Sequence, residues 1–302
     1  MKHGHILCAN PRGFHRLHYT DWGDPRNPRV VIGVHGLTRN CRDFDFLAER
    51  LAPDCRVVCP DVVGRGDSDW LPDKQDYGLP QYLSDTATLL ARVVFWPPRR
   101  WLVRLGDLLR QRHSTRSLCW VGTSMGGVIG MLLAAQPGSP IRKLVVNDVG
   151  PLIPRAFLDR IGGYITADPR FRTFEELRDY VRRISAPFGP LTDAQWNHLT
   201  RHNARQHADG SWSMKYDPGI GLPFRGKPMA DIDLWKMWDA ITCQTLVLRG
   251  TESDLLLPEI ADEMRKRGPR PRIVEFSGVG HAPMLLTEDQ IAPVRDFLIT
   301  TG

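Results

Sequence analysis

The feature that most constrains this chain is a run of small residues around one serine, placed between two apolar segments. Gly122, Ser124 and Gly126 occupy alternate positions, after a strand-like segment at residues 118–121 and before a helix-like segment at residues 128–135. A sharp turn from strand to helix holds a serine hydroxyl at an exposed corner, and the glycines leave room for the turn. The pattern predicts a nucleophile elbow, which needs a base and an acid from elsewhere in the chain.

Strand-like and helix-like segments alternate along most of the sequence. Strands are predicted at residues 29–34, 56–60, 118–121, 143–146, 245–248 and 272–276, and helices at residues 44–51, 82–94, 125–135, 259–267 and 289–298. Several of the strands are apolar nearly throughout, which is typical of parallel strands covered on both faces. The alternation predicts an α/β fold with a mostly parallel sheet flanked by helices.

One long segment interrupts this alternation. Residues 150–238 are rich in Pro, Arg, His and Trp, and helical patterns occur in them at residues 174–184 and 193–202. We therefore predict a helical lid at residues 150–238, inserted into a core formed by residues 1–149 and 239–302. Its apolar residues are equally compatible with a small core of their own.

The formal charge of +6 has one source. All of it lies in residues 92–116, which contain seven arginines and one aspartate. The charges of the remaining residues sum to zero. The chain is thus not basic over a broad surface, which argues against a nucleic-acid partner. The basic segment is predicted to form an extra helix packed on the sheet, with contact to a membrane surface or a partner as the alternative.

The cysteines and the apolar segments limit the class of protein further. The six cysteines show no paired zinc spacing, so buried thiols are expected and no metal site is predicted. The start of the sequence lacks the apolar stretch of a signal peptide, and nowhere do eighteen apolar residues follow one another. The expectation is a soluble protein of the cytoplasm.

A serine hydroxyl needs a base to take its proton, and the base needs an acid that fixes its tautomer. His281 is the favoured base because it follows the last predicted strand in a loop of small residues. For the acid, Asp254 is favoured because it follows the strand at residues 245–248, where sheet enzymes collect catalytic groups. Glu252 in the same loop and Asp148 after the preceding strand are the alternatives.

An acyl-transfer site also needs backbone donors for the negative oxygen that develops during the reaction. The amide of Met125, directly after the serine, is predicted to be one donor. The amide of Leu37 is predicted to be the second, since the loop after residues 29–34 brings its backbone close to the same place. His35 in that loop is expected to be a hydrogen-bonded structural residue.

Taken in order along the chain, these motifs resemble those of the α/β-hydrolase superfamily, and carboxylesterases are the nearest likeness. They are His35-Gly36, the run Asp61-Val62-Val63-Gly64-Arg65-Gly66-Asp67-Ser68, the Ser124 elbow, Ser253-Asp254 and Gly280-His281. The resemblance implies a triad of Ser124, Asp254 and His281, a cap over the site and no cofactor. It also implies hydrolysis of a small-molecule carboxylic ester through an acyl-enzyme on Ser124.

Related functions on this fold are distinguished by where the sequence departs from them. Epoxide hydrolases and haloalkane dehalogenases carry aspartate where this chain has Ser124. Carbon–carbon hydrolases of ring-cleavage products usually have Asn at the position of Thr123 and Trp at that of Ala282. Because the sequence differs at both positions, these hydrolases, together with lactonases, are the alternative to an esterase and not the favoured function. A ligand-binding protein of low turnover is a further alternative, disfavoured by the intact catalytic set.

Overall fold

A computed structural model describes residues 1–95, 117–165, 167–224 and 230–300. Its centre is an eight-stranded sheet. The strands of this sheet are β1 (Lys2–Asn10), β2 (Gly13–Trp22), β3 (Arg29–Val34), β4 (Arg56–Pro60), β5 (Ser117–Thr123), β6 (Ile141–Asn147), β11 (Gln244–Gly250) and β12 (Arg272–Phe276). All six predicted strands are present, three of them with the predicted bounds.

The strand order is β1-β2-β4-β3-β5-β6-β11-β12. From β4 to β12 every neighbouring pair is parallel. Strands β1 and β2 were not predicted; they form an antiparallel hairpin that extends the sheet beyond β4. The predicted α/β fold with a mostly parallel sheet is confirmed, and the carboxyl ends of β3, β5, β6 and β11 meet along one edge.

Helices cover both faces of the sheet. They are α1 (Asp45–Leu51), α2 (Leu79–Leu90), α3 (Met125–Ala134), α8 (Pro258–Lys266) and α9 (Glu288–Ile299), and a π-helical turn at Ala91–Phe95 follows α2. Successive strand residues point to opposite faces. Ile32 and Trp120 accordingly join a core with α2, α3 and α8, whereas Val31 and Val121 join a core with α1 and α9.

Between β6 and β11 the chain leaves the sheet. The described residues of this inserted segment, 148–165, 167–224 and 230–243, form four helices, four short strands and two 3-10 turns. They are β7 (Leu152–Ile153), α4 (Arg155–Ile165), α5 (Phe174–Ile184), the turn Ala186–Phe188, α6 (Asp193–Asn203), β8 (Ala204–Gln206), β9 (Trp212–Met214), the turn Pro218–Phe224, β10 (Ile232–Asp233) and α7 (Trp235–Asp239). Helix α5 has the predicted bounds, and α6 extends one residue beyond the prediction.

The cysteines, the basic segment and the apolar character of the helices were also subjects of the sequence analysis. All six cysteines are free and five of them are buried, as expected. Most of the basic segment predicted as an extra helix, residues 96–116, lies outside the described residues. Within the described ranges, no helix has the length and apolar character needed to cross a membrane.

Candidate active site

Ser124 lies at the junction of β5 and α3, as predicted for an elbow. Its backbone has φ 53° and ψ −117°, a strained conformation for a residue with a side chain. The neighbouring glycines are required by close packing: a Cβ on Gly122 would stand 2.2 Å from the carbonyl oxygen of Gly126, and one on Gly126 would stand 2.0 Å from that of Val34. The glycine spacing in the sequence therefore has a steric cause.

Hydrogen bonds hold the elbow in this conformation. The Ser124 amide donates to the carbonyl oxygen of Asn147 at 2.9 Å, which fastens the turn to the end of β6. The indole of Trp120 donates to the carbonyl oxygen of Gly126 at 3.0 Å, within the first turn of α3. The strain at Ser124 is thus supported by one hydrogen bond to β6 and by another that joins β5 to α3 across the turn.

The hydroxyl of Ser124 faces His281. The distance from Ser124 Oγ to His281 Nε2 is 2.9 Å, within hydrogen-bonding range. The other ring nitrogen, Nδ1, lies 2.8 Å from Oδ2 of Asp148. The carboxylate of Asp148 is fully buried, and the imidazole of His281 is 14% exposed at its side chain. Serine, histidine and aspartate therefore form one continuous hydrogen-bonded chain, with the aspartate as its buried end.

The Asp148 carboxylate has three donors. Besides His281, the backbone amide of Gly250 donates to Oδ1 at 2.9 Å and the hydroxyl of Ser253 donates to Oδ2 at 2.7 Å. The Asp148 backbone has φ 54° and its amide donates to the carbonyl oxygen of Leu248. This buried charge is satisfied and fixed in position by the loop after β11.

The predicted acid, Asp254, is not brought to His281, and the structure corrects that assignment. Its side chain is 49% exposed and its Oδ2 lies 2.7 Å from Nε of Arg160 in the inserted segment. The residue before it, Ser253, takes the buried place beside Asp148 instead. Asp148, an alternative in the sequence analysis, has the position needed because β6 pairs directly with β5, whereas β11 lies one strand further away.

The loop after β3 approaches Ser124, as predicted. A Cβ on Gly36 would be 3.6 Å from Cβ of Ser124, and both Leu37 and Met125 line the same cavity as the serine. The Met125 amide belongs to the first turn of α3, where intrahelical acceptors are lacking. Among the described residues the Leu37 amide also has no hydrogen-bond acceptor. Both amides are thus available to a bound oxygen.

His35 and Arg65 hold this loop. Nδ1 of His35 donates to the carbonyl oxygen of Gly36 at 2.7 Å, and its Nε2 accepts from the Val62 amide at 2.9 Å. The Gly36 oxygen and the Leu37 amide hydrogen point in opposite directions across one planar peptide, so His35 orients the Leu37 donor. The fully buried Arg65 donates to the Leu37 carbonyl oxygen at 2.8 Å.

Acid should destabilise the folded protein in part through His35. Burial lowers the pKa of His35 from 6.5 to about 4. The unfolded chain takes up this proton near pH 6.5, and the folded chain only near pH 4. The free energy of unfolding therefore falls as the pH is lowered through this window, by up to about 3 kcal/mol from this group, and no further below it.

Urea denaturation between pH 7 and pH 4 checks this expectation. His35→Gln removes the titrating group, so the variant should be less stable at pH 7 but lose less stability on acidification than the wild type. All other ionisable groups are common to the two proteins, so their contributions cancel in the comparison. Equal losses in the two proteins would show that His35 does not contribute.

A cavity of about 330 Å³ opens in front of Ser124 and His281. The sheet side contributes the loop after β3 and the start of α3, and the inserted segment contributes most of the apolar wall. The apolar side chains of the inserted segment that line it are Val149, Ile153, Phe157, Leu158, Ile161, Ile165, Ile184, Pro187, Phe188, Met214, Ile220, Pro223, Phe224 and Ile232. A mostly apolar pocket with a few polar groups at one end is typical of a small-molecule site.

The fold and the geometry of this site are those of an α/β hydrolase, and comparison with known sequences gives the same family. Residues 31–296 match the alpha/beta hydrolase family, so the chain belongs to that family and is a hydrolase. The resemblance predicted from the motifs is confirmed.

Individual relatives cover nearly the whole chain. It is 45% identical to a 3-hydroxybutyrate-oligomer hydrolase of Cupriavidus necator over 302 residues, covering 97% of this chain and 96% of the relative. An esterase of Mycobacterium tuberculosis is 26% identical, covering 85% of this chain and 78% of that protein. The crystal structure of an alpha/beta hydrolase from Novosphingobium aromaticivorans superposes with a TM-score of 0.79 at 34% identity over 98% of both chains. The names of these relatives, a hydrolase of 3-hydroxybutyrate oligomers and an esterase, agree with the predicted enzyme class, a carboxylic ester hydrolase.

Proposed function

We propose that this protein is a serine esterase whose triad is Ser124, His281 and Asp148. The observation that carries the proposal is the continuous hydrogen-bonded chain from the serine hydroxyl through the imidazole to a buried carboxylate. In the first step the Ser124 oxygen attacks the ester carbonyl while His281 Nε2 takes its proton. The carbonyl oxygen becomes negative and accepts hydrogen bonds from the Leu37 and Met125 amides.

Collapse of this intermediate breaks the bond between the acyl carbon and the alcohol oxygen. His281 returns its proton to the departing alkoxide, which leaves as the alcohol, and the acyl group stays on Ser124. A water molecule then attacks the acyl carbon, with His281 again taking a proton, and the carboxylic acid leaves as Ser124 is regenerated. Asp148 fixes the imidazole tautomer and stabilises its protonated form throughout.

The inserted segment acts as the lid in this proposal. The ring of Phe157 in α4 contacts the edge of His281, with centroids 5.1 Å apart. The Gly280 amide, next to the catalytic histidine, donates to the carbonyl oxygen of Pro187 at 2.6 Å. In the proposed mechanism these contacts form an apolar cover over the histidine that excludes water around the scissile bond.

For the substrate we propose esters of short hydroxy acids, including short 3-hydroxybutyrate oligomers. The apolar cavity of about 330 Å³ suits small or medium acyl groups. A relative 45% identical over nearly the full length is named for hydrolysis of such oligomers. Each oligomer unit is a short branched acyl group, which is the kind of group this wall can surround.

Product analysis tests the substrate class. We expect the wild-type protein to release 3-hydroxybutyrate from its linear dimer and trimer, and to hydrolyse p-nitrophenyl butyrate faster than p-nitrophenyl palmitate, because the cavity cannot surround a long acyl chain. Liquid chromatography of the oligomer digests and a colorimetric series of acyl lengths give the two results. Hydrolysis of the p-nitrophenyl esters without cleavage of either oligomer would contradict the substrate assignment and leave the esterase assignment intact.

A further inference from the structure

The two arginines of the cavity differ in how completely a carboxylate pairs with them. Among the described residues, Arg39 is one of two arginines that line the cavity. Its Nε and Nη2 donate to the two carboxylate oxygens of Asp43 at 2.8 and 2.6 Å, and both side chains are nearly buried. This bidentate pair occupies one edge of the guanidinium and matches its charge with a nearly buried carboxylate. The charge of Arg39 is therefore already paired before any substrate anion binds.

Arg160 is the second arginine, and its situation is different. Its Nε lies 2.7 Å from Asp254 Oδ2, and the two side chains are 45% and 49% exposed. The two terminal amino groups of Arg160 have no hydrogen-bond partner among the residues that the structure describes. An exposed ion pair of this kind contributes little to stability. The arrangement leaves the two terminal amino groups of the Arg160 guanidinium open at the solvent side of the cavity.

The position of Arg160 relative to the catalytic histidine is fixed by one aromatic ring. The Arg160 guanidinium carbon lies 4.9 Å from the ring centroid of Phe157, and that ring lies 5.1 Å from the His281 imidazole. Helix α4 carries both Phe157 and Arg160, which are three residues apart and so share a face. The guanidinium is thus held two ring contacts away from the group that protonates the leaving alcohol.

We propose that Arg160 binds a free carboxylate on the alcohol side of the substrate. The preferred substrates are then esters in which the leaving alcohol is itself a short hydroxy acid in its ionised form. In a 3-hydroxy acid, three bonds separate the alcohol oxygen from the carboxyl carbon, a span of about 4 Å. With a hydrogen bond of about 3 Å at each end, the substrate reaches about 10 Å, which is the greatest separation of imidazole and guanidinium carbon that the contacts of 4.9 and 5.1 Å to the Phe157 ring allow.

This inference rests on the proposed esterase function and adds to it the orientation in which the substrate binds. The acyl unit of an oligomer enters the apolar cavity, and the carboxylate end remains at the mouth beside Arg160. Asp254 keeps the Nε side of the guanidinium, which leaves the terminal amino groups to the substrate. Cleavage is thereby directed to the ester bond next to the free carboxylate, so single hydroxy acid units are released from that end.

A matched pair of substrates isolates this contact. The linear dimer of 3-hydroxybutyrate carries the carboxylate, and its terminal methyl ester has the same internal ester bond without the charge. We would measure kcat/KM for cleavage of the internal bond of each by chromatography. Wild-type protein should prefer the acid, and Arg160→Gln should lower the ratio of acid to methyl ester about tenfold. Arg160→Lys should retain part of the preference.

A control variant and salt define the outcome further. Arg155→Gln removes the same charge from the same helix, at a residue that does not line the cavity, and should leave the ratio as in wild type. Raising NaCl from about 0.05 M to about 0.5 M should reduce the ratio of the wild type but not that of Arg160→Gln. An unchanged ratio in Arg160→Gln, with both substrates cleaved, would overturn this inference alone. A wild-type protein that cleaves neither substrate nor p-nitrophenyl butyrate would overturn the proposed function as well.

Discussion

Replacing Ser124 by alanine should reduce ester hydrolysis by at least about 10⁴-fold. The substitution removes the oxygen that forms the acyl-enzyme, while His281 and Asp148 remain. Removal of one triad member costs a serine hydrolase about as much as removal of several, because the three groups act as one unit. Steady-state hydrolysis of p-nitrophenyl butyrate gives the rate.

The fold should tolerate this change. The Ser124 amide and carbonyl make the hydrogen bonds that hold the elbow, and alanine keeps both. Circular dichroism and the thermal midpoint should therefore match the wild type within a few degrees. If Ser124→Ala retains turnover near the wild-type rate in a freshly prepared, uncontaminated sample, the serine mechanism is wrong.

Asp148→Asn should have the second largest effect, a loss of about 10³- to 10⁴-fold in kcat. The carboxylate accepts from Nδ1 of His281, which leaves Nε2 free to take the Ser124 proton. An asparagine amide can instead donate to Nδ1, and the imidazole then carries its proton on Nε2, where it cannot act as a base. The measurement is kcat across a pH series with a neutral ester.

Asp254→Asn is the matched comparison, since it removes the same charge from the acid that the sequence favoured. Its exposed pair with Arg160 makes no contact with His281, so kcat for a neutral ester should stay within about threefold of wild type. The reverse order of effects, a severe loss in Asp254→Asn and a mild one in Asp148→Asn, would show that the hydrogen-bonded chain in this structure is not the catalytic one.

The sheet was accessible from sequence because its central strands are buried on both faces. Runs such as residues 30–34 and 118–121 are apolar throughout, and this is a strong local signal. The hairpin β1–β2 has no such signal. Its burial alternates irregularly and exposes Leu7 and Phe14, and it includes four histidines, so hydrophobicity alone did not mark it.

The candidate site was predictable in part for the same reason. Ser124 and His281 lie beside local patterns of small residues, and the loop that contains Leu37 follows a clear strand. The choice between Asp148 and Asp254 depended on which strand borders β5 and on the one-residue difference between Ser253 and Asp254. Both are long-range facts of sheet order and loop path. The cavity wall likewise depends on how the inserted segment packs, which no local pattern specifies.

The most direct test of the proposed mechanism is covalent labelling of the nucleophile. The wild-type protein is treated with a fluorophosphonate that mimics the ester carbonyl, and the labelled peptide is identified by mass spectrometry. The mechanism predicts one adduct, on Ser124, with loss of ester hydrolysis in proportion to labelling, and no adduct in Ser124→Ala. Labelling of a different residue that abolishes hydrolysis, or full hydrolysis by protein labelled at Ser124, would contradict it.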